Sequence, residues 1–321
     1  VFERNTTAAV SGATTVVDAK GAATVDALSA QGVSSVVVGG AGGVVAAVGS
    51  GSVAKFTSTT RASVDDATFD VGALDVTAHH GSTFYVTGGG LAVGGAALAG
   101  TFAVGLDTSS TTARIDEAQI DAFGQVNVTA GNSTDMRTWA IGGAGGGTAG
   151  VAGAVAVGII DSTTTASVTD SRVGSDTDRS GGLAVTATDS VVTESHAGAA
   201  ALGGLAGAGA GASITKIDNT TTATIQDSDV HVDQDIAVSA TAHRRLTNVA
   251  AALGAGGTVG IGGAAAVTLL NAGLNGDASG ELDSKKDGSQ GTLGTAQDFS
   301  NEDRLSTSDS GARLTEAMSY P

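Results

Sequence analysis

The sequence AVAVGII at residues 154–160 runs almost directly into TTTASV at residues 163–168. Valine, isoleucine and threonine favour strands, because their branched Cβ atoms pack well on a pleated surface. Further back, QVNVTA at residues 125–130 alternates polar and apolar residues, as a strand with one buried face does. Helix signals are weak, since the Gly/Ala blocks lack amphipathic spacing and glycine costs about 1 kcal/mol per helical position relative to alanine. These stretches predict β-structure.

The Thr-rich run is the first of three landmarks that recur in fixed order along the chain. Each copy of the run ends in a β-branched residue, and these residues are Val10, Val64, Ile115, Val168 and Ile225. A Val-x-Ala triplet follows at residues 25–27, 76–78, 128–130, 185–187 and 238–240, and a Gly-Gly pair at 39–40, 94–95, 142–143, 203–204 and 256–257. The spacing is 51–57 residues with no half-repeat, which favours one long, flattened turn per unit over two or three shorter coils.

This periodicity predicts an all-β repeat β-solenoid of the parallel β-helix type, with about five units over residues 1–271. The Gly/Ala blocks are expected where two sheets pack closely, and the Thr run is expected on an exposed face. The alternation breaks after Asn271. Residues 272–321 are acidic and polar, and they are interpreted as a capping segment, a linker or the start of a further domain, with residues 278–282 a possible degenerate sixth unit. Since the chain opens on Val1, we expect it to be a piece of a longer protein.

The composition restricts the class of partner. With 15 Lys+Arg and 32 Asp+Glu, the chain carries a net charge of −17. Because phosphate binding needs a positive surface, nucleic acid and anionic membranes are not expected as partners. The absence of cysteine removes disulfides, thiolate metal sites and cysteine nucleophiles. No uninterrupted apolar run reaches about 18 residues, so membrane insertion by this segment is not expected.

Gly145, Gly147 and Gly150 match the Gly-x-Gly-x-x-Gly pattern. A dinucleotide fingerprint needs a helix after the glycines, whose N-terminus holds the pyrophosphate. Residues 151–157 continue with period two, as a strand does. The pattern therefore predicts close sheet packing or a turn, and no cofactor.

Aspartates recur on both sides of the Thr run: Asp107, Asp161 and Asp218 precede it, and Asp116, Asp170 and Asp227 follow it. Stacked carboxylates could bind Ca²⁺, which takes several oxygen ligands. No calcium-binding nonapeptide or EF-hand spacing is present, however, and aspartate favours turns because it bonds its own backbone. Turn and solubility roles are predicted, with no metal site.

Other candidate chemistry is sparse. None of the five histidines lies in a zinc-binding spacing, and His80 and His196 are expected as surface or cap residues. The pairs Asp65-Asp66 and Asp116-Glu117 would be the acid and base of a polysaccharide lyase or glycosidase, but each falls at the turn of its repeat. Catalytic residues are therefore not predicted.

Two further groups of residues carry no predicted site. Trp139, Phe84, Tyr85 and Phe123 are scattered in the sequence, which predicts no aromatic platform for sugars. The basic cluster at residues 243–245 is too small for a nucleic-acid surface.

The repeat resembles those of very large Gram-negative filamentous adhesins, the leukotoxin-like and filamentous-haemagglutinin-like surface proteins. The resemblance rests on the order Thr-Thr-x-Ala-x-Ile/Val, Val-x-Val-Thr-Ala, a Gly-Gly block and Gly-Ala-Val-Ala-Val, and is best over Ser110–Ile160 and Thr163–Val168. It covers about residues 5–271 and implies a β-solenoid in an extracellular stalk or adhesin segment. It carries over no catalytic residue.

Two functions from different classes follow. The first is a structural and adhesive segment of a large extracellular surface protein or filament. Its partners are then other copies or repeats of the same protein and a host or neighbouring cell surface. The alternative is a carbohydrate-active β-helix enzyme.

Overall fold

The computed structural model describes residues 1–284 and 314–315, and in this part of the chain it contains nine strands and no helix. The strands are β1 (Phe2–Asp116), β2 (Gln119–Ala122), β3 (Gln125–Thr169), β4 (Arg172–Val173), β5 (Gly182–Gly203), β6 (Ala206–Val232), β7 (Ile236–Gly256), β8 (Val259–Ser284) and β9 (Leu314–Thr315). All pairings between different strands are parallel. The all-β, parallel β-helix-like fold predicted from the sequence is confirmed.

The pairing register shows that one repeat unit makes one turn. Ile115 pairs with Val168, and Val168 pairs with Ile225. These offsets, 53 and 57 residues, equal the spacing of the Thr-run landmarks. Two or three coils per unit would give shorter offsets, so the long, flattened turn is the right interpretation.

Each turn consists of two long walls. In β3, residues 125–146 pair with β5, and residues 149–169 pair with β6. We call the first stretch and its equivalents the outgoing wall, and the second the return wall. A glycine-rich tip joins them at residues 94–96, 146–149, 203–206 and 256–259.

An acidic corner joins each return wall to the next turn. Here Asp66, Glu117, Asp170 and Asp227 have φ between 47° and 53°. Aspartate tolerates this left-handed conformation better than most side chains, because its short polar group bonds locally. The turn role predicted for Asp170 and Asp227 is confirmed. In the two preceding units the left-handed residues are Asp66 and Glu117, the second member of each predicted carboxylate pair.

The corner also accommodates a difference in unit length. Ile120 pairs with Val173 at an offset of 53 residues, whereas Gln125 pairs with Gly182 at an offset of 57. Four additional residues therefore lie between Val173 and Gly182. Both walls resume parallel pairing after them.

The interior holds two apolar clusters. The cluster near the acidic corner contains Phe69, Leu74, Ile115 and Ile120, all at most 1% exposed. The cluster near the glycine-rich tip is mostly alanine, with a few larger side chains such as Phe84, Met136, Ile160 and Ile217.

The walls approach each other closely near the tip. A Cβ added to Gly142 would lie 2.7 Å from the carbonyl oxygen of Gly153, and one added to Gly211 would lie 2.6 Å from that of Ala251. Real Cβ atoms do not come this close, so only glycine fits at these points. The closely packed Gly/Ala sheets predicted from the sequence are confirmed.

The Thr run was expected on an exposed face, but Thr111, Thr164 and Thr221 are fully buried, because every second residue of the run points inward.

Strand β8 continues past Asn271 and stays paired with β6 as far as Ser284. Most of the segment 272–321 lies outside the described residues, and its role as a cap, linker or further domain stays a prediction.

Candidate functional site

A layer of buried polar side chains separates the two apolar clusters. Each member is at most 3% exposed. The layer contains Ser58, His80, Ser82, Asp107, Asn132, Thr134, Ser162, Asp189, Asn219 and Arg244. Buried polar groups cost free energy unless they are hydrogen-bonded, so the partners of the charged members decide what the layer can do.

Asp189 lies at the centre of one network. Its Oδ1 accepts a 2.7 Å hydrogen bond from Nδ2 of Asn132 and a 3.3 Å bond from the hydroxyl of Ser162, and its Oδ2 accepts a bond from Nδ2 of Asn219. Burial raises the pKa of Asp189, while these amides and the positive charge of Arg244 oppose the shift. Because Asn132 lies on the outgoing wall and Asn219 on the return wall, the carboxylate ties the walls together.

Asp107 forms a second tie between the walls. Its Oδ2 accepts hydrogen bonds from Thr134 at 2.9 Å and from Ser82 at 3.3 Å, both on the outgoing wall. Burial raises the pKa of Asp107 to about 6, although the two hydroxyls act in the opposite direction. The group therefore changes charge close to neutral pH, in a place that solvent does not reach.

His80 was expected at the surface, but it is 3% exposed, and its Nδ1 lies 3.2 Å from the hydroxyl of Ser58. Burial lowers its pKa to about 4, with a further contribution from Arg4. His196 is half-buried on the outer surface of the outgoing wall, in accord with the expectation.

Arg244 belongs to the predicted basic cluster at residues 243–245, but the pleat divides that cluster. Arg244 points inward and is 3% exposed, whereas His243 and Arg245 point outward. Burial lowers the pKa of Arg244, and the charge of Asp189 offsets part of this effect.

The aspartates that precede the Thr run are not equivalent. Asp161 pairs in register with Asp218, but Asp107 pairs with Ile160, one residue earlier. Since a shift of one residue reverses the face of a strand, Asp107 points inward while Asp161 is exposed. The three carboxylates therefore do not form one ladder.

The carboxylates of the predicted lyase or glycosidase pairs are held by arginine. Arg114 lies 2.5 Å from Oδ1 of Asp65 and 3.0 Å from Oδ2 of Asp116. Arg61 lies 3.4 Å from the same Asp65. The structure thus brings Asp65 and Asp116 together at the acidic corner as an ion-pair cluster.

Gly145, Gly147 and Gly150 lie within β3, at its glycine-rich tip. The chain continues through residues 151–157 as a strand, as predicted. Gly150 serves the close approach of turns, since an added Cβ there would meet the carbonyl group of Leu202 on the next turn, whereas a Cβ at Gly145 or Gly147 would come no closer than 3.7 Å to a neighbour.

Two of the aromatic residues that are distant in sequence lie close together. Tyr85 and Trp139 are 41% and 42% exposed on neighbouring turns of the outgoing wall. Arg137 stacks over Tyr85 at 5.3 Å, and the ring of His196 meets that of Trp139 edge-on at 5.6 Å. The 52-residue register pairs Tyr85 with Arg137 and Thr87 with Trp139, so the two rings lie on adjacent turns, but among the described residues no ring contact joins them. The expectation that the aromatic residues form no platform for sugars stays a prediction. Phe84, in contrast, is buried in the core.

The outer surface of the return wall is apolar and carries a groove. Its floor is a column of small residues in register, Gly100, Gly153 and Ala210. Phe102 and Val155 line one side, and the groove has a volume of about 630 Å³. The sequence carried a signal for this surface: within the period-two stretch at residues 150–160, the inward and the outward positions are both apolar or glycine, as in strands covered on both faces.

Within residues 1–284 and 314–315, no three His, Asp or Glu side chains lie close enough together to hold a metal ion. The same residues include no helix long and apolar enough to cross a bilayer. Comparisons of the chain with models of protein families, with curated proteins and with solved structures find no match. The fold and the geometry therefore carry the functional argument, and they define an all-β protein with parallel stacked turns.

Proposed function

We propose that this chain is a structural and adhesive segment of a large extracellular surface protein or filament. In this role about five solenoid units form a rigid body that is used for cell-surface attachment or assembly. The observation that carries the proposal is the continuous register of both walls, which pair from turn to turn through almost every residue. Such a ladder extends by adding turns without changing the contacts of those already present.

The shape of a turn favours a broad binding surface over length along the solenoid axis. Each turn adds only about 4.8 Å along the solenoid axis, yet it uses more than 50 residues. Most of the chain therefore builds the broad surfaces of the two walls, and surfaces of this kind suit contacts with other molecules.

The distribution of charge supports the same role. No Asp, Glu, Lys or Arg occurs at residues 138–160 or 195–215, which form the tip half of two turns. The charged residues lie towards the acidic corner, which keeps that edge of the solenoid hydrated. A solenoid with one hydrated edge and one apolar half can bind through the apolar half and stay soluble through the other.

Attachment is tested with beads coated with the purified chain and incubated with cultured epithelial cells and with bacterial cells. We expect saturable attachment to at least one surface, competed by the soluble chain and lost when the chain is heat-denatured. Absence of attachment to every surface would contradict the adhesive role.

The same preparation is incubated with a panel of polysaccharides to test the enzymatic alternative. Turnover that is abolished by Asp116→Asn would replace the proposal with the carbohydrate-active enzyme. Asp161→Asn, which changes an exposed aspartate elsewhere, is the control.

A further inference from the structure

We infer that the outer surface of the return wall docks face to face on the same surface of a second copy of this chain. This surface, the apolar return face, consists of the outward residues of 98–106, 151–159, 208–214 and 261–269. Its large side chains are between 37% and 61% exposed: Leu98, Phe102, Val151, Val155, Ile214, Ile261, Val267 and Leu269. The inference rests on the proposed assembly role and names the partner.

The face is unusual for a surface in contact with water. The four segments contain no charged residue, but Lys216, which pairs with Ile159 and Leu269, continues the third segment. At the edge of the face, Lys216 lies 3.5 Å from Asp218 and is thus paired within its own chain. The inner side of the same strands buries Ala99, Ala103 and Ala152. A sheet that is apolar on both sides is typical of strands covered on both sides, and a large apolar patch marks an interaction site.

The apolar return face carries a ridge and a groove that fit those of a second copy. Leu98, Val151, Ala208 and Ile261 stack in register and form a ridge. The groove lies two residues further along each strand, where a Cβ added to Gly100 or Gly153 would meet nothing within 4 Å. A two-fold rotation places the ridge of each copy against the groove of the other, which is the self-complementary arrangement of symmetric dimers.

The spacing of the turns also suits a second copy. Both partners repeat at about 4.8 Å along the axis, so ridge and groove contacts stay in step over the whole face. A partner with a different repeat would match the column at only one or two turns.

The area is sufficient for a specific dimer. Nine residues of strand span about 30 Å and four turns about 19 Å. The two faces together thus bury about 1,100 Å², which is above the roughly 1,000 Å² expected of a biological interface. The net charge of −17 opposes this contact only weakly at physiological salt, because apart from Lys216 the charges lie outside the face and charges more than about 8 Å apart are largely screened.

The test measures the mass of the full chain in solution by sedimentation velocity over a hundredfold range of concentration. We expect a dimer for the unchanged chain and at least tenfold weaker association for Val151→Asp. Ile141→Asp changes an apolar position on the outgoing wall that is 56% exposed, against 44% for Val151; it is the control and should remain dimeric.

Cysteine variants keep the test independent of any effect of a buried aspartate on folding. The chain has no cysteine, so Val151→Cys and Ile141→Cys each carry one thiol. With a short bis-maleimide cross-linker, which spans the offset between a ridge and the ridge of the facing copy, we expect a covalent dimer for Val151→Cys and little for Ile141→Cys. A chain that is monomeric at every concentration, or equal cross-linking of the two variants, overturns the inference.

Three further outcomes separate this inference from its alternatives. Binding of a monomeric chain to phosphatidylcholine vesicles that is lost in Val151→Asp would assign the face to lipid and overturn the dimer. If Val151→Asp is monomeric but its beads still attach to cells, the dimer stands and adhesion uses another surface. If no protein attaches to cells but the dimer forms, only the adhesive role fails.

Discussion

Asn132 and Asp189 lie on adjacent turns of the outgoing wall, joined by a 2.7 Å hydrogen bond in a place where neither side chain is more than 3% exposed. Asn219 reaches the same carboxylate from the return wall. A slip of either wall by one residue would turn one of these groups outward. The buried polar layer therefore selects the register of the two walls, which the alanine-rich cluster by itself specifies weakly.

Removal of this carboxylate should be costly. Asp189→Ala leaves two buried amides without an acceptor and Arg244 without its nearby negative charge, so we expect a loss of about 3–5 kcal/mol in the free energy of unfolding. Chemical denaturation measures it. Asp161→Ala, at an exposed position, should stay within about 0.5 kcal/mol. Similar losses in the two variants would contradict the structural role of the layer.

His80 and Asp107 should give opposite pH dependences. Asp107 has a folded-state pKa of about 6, above its ordinary value, so it makes the protein less stable as pH rises from about 4 to 6. His80 has a folded-state pKa of about 4, below its ordinary value, so it makes the protein more stable as pH rises from about 4 to 6.5.

The two variants separate these effects. Asp107→Asn removes the Asp107 effect and keeps that of His80, and its melting temperature should rise with pH more steeply than that of the unchanged chain. His80→Asn retains the Asp107 effect and should shift in the other direction. Melting curves at pH 4.5, 5.5 and 6.5 provide the comparison, and parallel slopes for the two variants would refute the assignment.

Glycines at the close approach of the walls should not tolerate a methyl group. In Gly211→Ala the new Cβ would lie 2.6 Å from the carbonyl oxygen of Ala251, and we expect a loss of about 1–3 kcal/mol from overpacking. Gly198→Ala meets nothing within 4 Å and should be neutral or slightly stabilising. Thermal melts of both variants test this, and an equal response would mean that the walls are further apart.

The buried threonine column gives a prediction in which a substitution does not lower the stability of the protein. The hydroxyl of Thr164 is buried without a hydrogen-bond partner among the described residues. Thr164→Val should therefore be neutral or stabilising, because valine has the shape of threonine but lacks the unpaired hydroxyl. Thr164→Ser keeps the hydroxyl, loses a buried methyl group, and should cost about 1 kcal/mol. The reverse order of the two melting temperatures would show that the hydroxyl has a partner.

Calcium should have little effect on stability. Asp107 points away from Asp161, and Asp218 is already bound by Lys216 and Asn271. We expect equal melting temperatures with EDTA and with millimolar Ca²⁺ at constant ionic strength. A rise of several degrees that Mg²⁺ does not reproduce would disprove this prediction.

The regular part of the fold could be predicted because local pattern and turn length agree. Alternation in QVNVTA and the recurring Val-x-Ala triplets indicate both the strand and its buried side. The left-handed corner could be predicted in the same way, since Asp170 and Asp227 follow the Thr run at the same position of the sequence repeat. Each of these features is carried by residues that are neighbours in sequence.

The polar layer could not be predicted, because its contacts join residues that do not repeat. Asp189 is bound by Asn132 on the preceding turn of its own wall and by Asn219 on the other wall. This combination occurs once among the described turns. Asp107 is misleading for a related reason: one additional residue between it and the Thr run reverses its side of the strand. A count of residues up to Thr112 would have found this offset.

The four additional residues between Val173 and Gly182 have a consequence for how such a chain can change. They leave the corner as a loop, in which Ser175 bonds to Asp178 and Arg179 to the carbonyl of Val232, while both walls keep their pairing. The four residues are thus absorbed in this loop and are not transmitted to the stack. This edge is where evolution or an engineer can insert a foreign peptide, an epitope or a recognition loop, and have it displayed once per turn without redesigning the scaffold.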